Sequence, residues 1–71
     1  GMKLSDCEPG QDVIAIRDCV GALKGTCGVI TNIKENGITI DTESGIVRDG
    51  SKAALCAAED WEALPANPAA V

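Results

Sequence analysis

The sequence predicts an all-β fold, a small antiparallel barrel of about five strands with a short helix or 3-10 turn near the C-terminus. Three observations predict it. Apolar runs rich in β-branched residues recur at positions 13–16, 29–33 and 38–40, and such runs suit a pleated, half-buried surface. Turn signals punctuate them at Pro9-Gly10, Glu35-Asn36-Gly37, Glu43-Ser44-Gly45 and Asp49-Gly50. Turns so closely spaced make an antiparallel meander. Finally, Gly25 and Gly28 bracket Thr26-Cys27, where glycine permits positive φ or a close backbone approach and so a sharply bent strand.

The 71 residues suffice for one domain and not two. Residues 1–8 are expected to be a polar, loosely ordered N-terminal segment, with Gly1 left by tag removal. Residues 9–65 form the barrel, and residues 66–71 a flexible tail after Pro65. In the first strand Val13 and Ala15 point inward, so Ile14 and Ile16 point outward. Two outward isoleucines predict a covered face, beneath either the C-terminal segment or a partner. Residues 18–24 form a loop broken at Gly21, with Val20 and Leu23 tucked beneath it. Ile30 and Ile33 fall on opposite parities, so a strand that buries both needs a bulge between them. Asn36-Gly37 suits a type I′ hairpin turn. Ile38 and Ile40 then face inward, with Thr39 and Asp41 outward, and residues 46–48 make a short strand. Residues 51–64 read as a short strand at 53–57, a tight turn through Ala58-Glu59-Asp60 and a final strand at 61–64. A single helix is the alternative, because the alanines favour it and Ser51 suits an N-cap.

Composition narrows the function. Trp61 is the single aromatic residue. It is expected to plug or cap the core beside Leu55 and Leu64, one indole edge near solvent because Asp60 and Glu62 flank it. There is no histidine, which excludes Ser-His and Cys-His nucleophile pairs and His-ligated metal. No carboxylate pair stands out as an acid/base couple, so no catalytic activity is expected. No apolar run approaches the ~20 residues of a membrane span. No signal peptide is visible, and the cytoplasm is the expected location. Cys7, Cys19, Cys27 and Cys56 are too widely spaced for a metal knuckle. Their primary reading is as small apolar residues.

Residues 9–42 resemble the KOW motif and, more widely, the SH3-like small β-barrel. Pro9-Gly10 enters the first strand, and Val13 and Ala15 take its apolar positions. Lys24-Gly25 with Gly28 forms the turn, and Ile30 and Ile33 are the second apolar pair. Glu35-Asn36-Gly37 and Ile38 to Ile40 complete the unit. KOW domains occur in ribosomal proteins and transcription elongation factors, so the resemblance implies RNA or protein partners. A net charge of −5 and a lone aromatic weigh for protein, because RNA recognition draws on clustered cations and stacking rings. The sequence thus predicts a small protein-interaction or accessory module with no cofactor, binding a protein partner or itself through Ile14, Ile16 and Trp61. One alternative is a KOW-type RNA site at Arg17, Lys24, Lys34 and Arg48. A second is a metal or redox site built from Cys7, Cys19, Cys27 and Cys56.

Overall fold

The structure, a computed structural model, describes residues 1–19, 22–42, 45–46 and 56–65. Five strands follow in order: β1 (Asp12–Ala15), β2 (Cys27–Lys34), β3 (Gly37–Thr42), β4 (Gly45–Ile46) and β5 (Trp61–Ala63). Two 3-10 turns, Leu4–Asp6 and Ala58–Asp60, precede β1 and β5. All strand pairings are antiparallel and the sheet order is β4-β3-β2-β1-β5. The ladder is therefore open, not the closed barrel expected. One of its end strands, β5, spans only three residues. A strand that short offers too few backbone groups to join the two edges of a twisted sheet. One isolated bridge does reach across: Ile38 N–H donates to Cys56 O at 3.0 Å, and Cys56 N–H to Ile38 O at 2.7 Å.

Alternation places the core. Val13, Ile30, Ile38, Ile40 and Trp61 have no exposed surface, and Ala15 almost none. Cys7, Ala22, Cys56 and Ala58 close the cluster, with Met2, Leu4, Cys19 and Ile33 packed against it. The bulge expected in β2 is present, because the β2–β3 register shifts between Ile30 and Asn32. It frees Thr31, whose hydroxyl donates to Thr39 O at 3.3 Å and lies 2.8 Å from the Thr39 hydroxyl. That contact satisfies Thr39, an outward-parity polar residue that is nonetheless buried.

The two glycines of the bend act differently. Gly25 has φ of +93°, and its N–H donates to Ala15 O at 2.8 Å. Gly28 is needed for space, since a Cβ there would lie 2.5 Å from Ile40 Cγ2 and 2.8 Å from Asp41 O.

Several expectations are corrected. Lys34 pairs with Gly37, so the hairpin loop is Glu35-Asn36. Neither residue has positive φ, so the turn is not type I′. Glutamate resists the left-handed region, and Gly37 has become the first residue of β3. A helix through to residue 64 is excluded, because β5 is extended and the backbone is also extended at Ala57 and Trp61, on either side of the 3-10 turn. The N-terminal segment, expected to be loose, lies on the core. Cys7 is buried, and Met2 N–H is shared between Ala58 O at 3.2 Å and Trp61 O at 3.0 Å. Leu23 is 70% exposed and Ala22 takes the buried position beneath the loop. The expectations for Val20, the Glu43-Ser44 turn, residues 47–50, Leu55, most of the 53–57 strand and the 66–71 tail lie outside the described residues.

The glycine roles are separable by mutation. Gly28→Ala is expected to destabilise by about 1–3 kcal/mol through overpacking. Gly25→Ala should cost about 1–2 kcal/mol through backbone strain. Asparagine should recover much of the loss at position 25 and none at position 28. Chemical denaturation of the four variants reads this, and equal recovery at both positions would contradict it.

Candidate functional site

Burying Val13, Ala15, Ile30, Ile40 and Trp61 commits the intervening residues to the opposite face of the sheet. Strand register then arranges them in rows. In one row, Asp12 of β1 opposes Val29 of β2, which opposes Asp41 of β3. In the next, Cys27 of β2 opposes Ile14 of β1, which opposes Glu62 of β5. Just beyond β5, Leu64 N–H donates to Asp12 O at 2.9 Å and so extends the first row. A cleft of about 350 Å3 lies on this face, lined by Asp12, Cys27, Gly28, Val29, Asp41, Thr42 and Leu64. Its floor is apolar and partly open: Val29 is 37% exposed and Leu64 is half-buried.

Of the three residues expected to form an interaction surface, Ile14 lies on this face and is half-buried. Ile16 is also half-buried but sits past the end of β1, where its N–H donates to Asp60 O at 2.9 Å. Trp61 does not belong to any surface. It faces inward opposite Ala15 and has no exposed area, and its Nε1–H is buried without a hydrogen-bond partner. The flanking acids Asp60 and Glu62 lie on the other parity of the chain, which is why they gave a false sign of an exposed indole edge. Asp12, Val29 and Leu64 were missed as face residues, although Asp41 was expected outward. The parity of Val29 was legible beside an inward Ile30, whereas the placing of Asp12 and Asp41 on either side of it needed the cross-strand register.

Among the described residues, Lys34 stands apart from Arg17 and Lys24. Arg17 Nε pairs with Asp60 Oδ1 at 3.1 Å. Lys24 sits on the loop, where its backbone N–H donates to Asp18 Oδ1 at 2.8 Å. Lys34 ends β2 at the hairpin, the opposite end of the sheet from Arg17 by the β1–β2 register. Arg48 lies outside the described residues.

All four cysteines are free thiols. Cys7 and Cys56 are buried, Cys19 is half-buried and Cys27 is exposed. Among the described residues no group of three or more His, Cys, Asp or Glu side chains could hold a metal ion. Burial, then the charges of Cys19 and Asp60, push the Cys56 thiol up to about 11. Burial and Asp6 raise the Cys7 thiol, while burial, Asp60 and Asp18 raise that of Cys19. These thiols are held protonated and poorly nucleophilic. Comparison with protein-family models, curated proteins and solved structures finds no match to this chain.

Native protein treated with a thiol reagent near neutral pH should react first at Cys27, with Cys7 and Cys56 slower by at least about tenfold. Peptide mapping by mass spectrometry reads the order, and equal rates at all four thiols would contradict the burial described. A second expectation concerns alkaline pH. A thiol that titrates near 11 in the folded chain and near 9 when unfolded keeps more protons folded than unfolded in that window. Stability therefore falls as pH rises from about 9 to 11. The fall should be smaller in Cys56→Ala, measured by urea titration at each pH, and an identical fall would refute it.

Proposed function

We propose that this chain is a small protein-interaction module, related to KOW domains within an SH3-like architecture, that docks a partner on the outer face of its sheet and performs no chemistry itself. The observation that carries this reading is the cleft over exposed Val29 and half-buried Leu64, beside half-buried Ile14, on the outer face of the sheet. Apolar surface on a sheet that has already buried its inner face is a common mark of docking. The SH3-like reading is supported by the strand order β4-β3-β2-β1-β5 and by the 3-10 turn before β5. The Ile38–Cys56 bridge supports it too, because it carries the chain from the β3 side of the sheet to β1. Protein is favoured over RNA as the partner. The Arg17 guanidinium is already matched by Asp60, and Lys34 stands at the other end of the sheet.

The test compares affinity capture from cells of the source organism by the wild-type chain and by Val29→Ser. The expected result is a protein retained by the wild type and lost from Val29→Ser, while Lys34→Ala behaves as wild type and all three unfold at similar denaturant. Identical captures by wild type and Val29→Ser, or salt-dependent RNA binding lost in Lys34→Ala, would overturn the proposal.

A further inference from the structure

The chemistry of the outer face also selects its partner, an inference that rests on the interaction-module reading. We infer that the face receives a cationic segment of a protein partner, in which two Lys or Arg side chains flank an aliphatic one. Asp12, Val29 and Asp41 are direct cross-strand neighbours on three adjacent strands, so their side chains stand on one face. Strands lie roughly 4.8 Å apart, which puts the two aspartates roughly 10 Å apart with Val29 between them.

Both aspartates are exposed, and among the described residues neither is in an ion pair or accepts a side-chain hydrogen bond. Glu62, also exposed and without an ion pair, adds a third carboxylate beside Ile14 in the next row. Among the described residues no Lys or Arg occupies either row. Like charges on one sheet face oppose folding slightly, and nothing in the described core makes use of these three. A cationic partner turns that repulsion into attraction.

Geometry discriminates among cations. A single divalent ion needs oxygens within about 2.6 Å of itself, so carboxylates on strands roughly 10 Å apart cannot share one. Lys and Arg suit the site better, because their methylene stems lie along apolar surface while the charged heads stay in water. Here the stems would cover Val29 and Leu64, and the heads would meet Asp12 and Asp41. Such rim pairs act mainly on association rate and specificity, so the complex should be salt-sensitive. Phosphate-bearing ligands are repelled by the same carboxylates.

The experiment uses the full chain labelled with 15N and a short synthetic peptide containing Lys-Leu-Lys, with a Glu-Leu-Glu counterpart as control. The lysine peptide should shift the amides of Asp12, Val29, Asp41 and Leu64, and should protect the Cys27 thiol from labelling. Its affinity should fall about tenfold or more in the double variant Asp12→Asn/Asp41→Asn and should weaken with salt. Unfolding of that variant should need as much denaturant as the wild type or more, which separates lost binding from lost fold. Equal binding of the glutamate peptide, an unchanged affinity in the double variant, shifts that map elsewhere, or no shifts at all would overturn the inference. So would an RNA oligomer that shifts these same amides, or self-association through this face in sedimentation. The two readings fail differently. A natural partner lost in Val29→Ser but held fully by the double variant refutes the cationic chemistry alone. A partner indifferent to both refutes the interaction module.

Discussion

The structure depends on the pairing of Trp61 with Ala15 across β1 and β5. The chain has one large side chain with which to fill a core otherwise built of Val, Ile, Ala and Cys. Its indole has no exposed surface, and the residue directly opposite it is among the smallest available. A large side chain set against a small one fills a thin core without strain. Small domains bury a modest fraction of their surface, so this one plug contributes heavily. The arrangement has a cost: an indole N–H buried without a partner loses its hydrogen bond to water. Much of the remaining chain organises around the plug. Met2 bonds to the carbonyl of Trp61, Ile16 to that of Asp60, and Arg17 to the Asp60 carboxylate.

Committing one face of β1, β2, β3 and β5 to this core decides the composition of the other. Asp12, Ile14, Cys27, Val29, Asp41 and Glu62 share the outer face because their strand neighbours are needed inside. Gly28 contributes indirectly. The absence of a side chain there lets β2 lie close to Ile40 and the backbone of Asp41, and Gly28 itself lines the cleft beside Val29. The outer face is thus a consequence of how the core was filled, and its charge a property of residues the core did not require.

Much of this was legible along the chain. The inward Val13 and Ala15, the outward Ile14, the bulge between Ile30 and Ile33, and the bend at Gly25 and Gly28 all follow from local periodicity and backbone preference. Three features were not legible, each for a physical reason. The depth of Trp61 depends on β5 reaching β1 from the far end of the chain. The contact of the N-terminal segment with the core depends on backbone acceptors at Ala58 and Trp61. The hairpin loop settled on Glu35-Asn36, because the cross-strand register after the bulge pairs Lys34 with Gly37, which draws Gly37 out of the turn that its local preference favours.

By itself, the sequence determined which stretches are extended, where they turn, and which residues alternate inward, because those depend on neighbours in the chain. It also set the acidic balance and the lack of histidine, which bound the available chemistry. Only the tertiary structure decided that Asp12, Val29 and Asp41 stand in one row, that the ladder stays open, and that the indole of Trp61 keeps no edge at the surface. Hydrogen-bond register between strands far apart in sequence is a non-local property, set by the fit of the whole core at once.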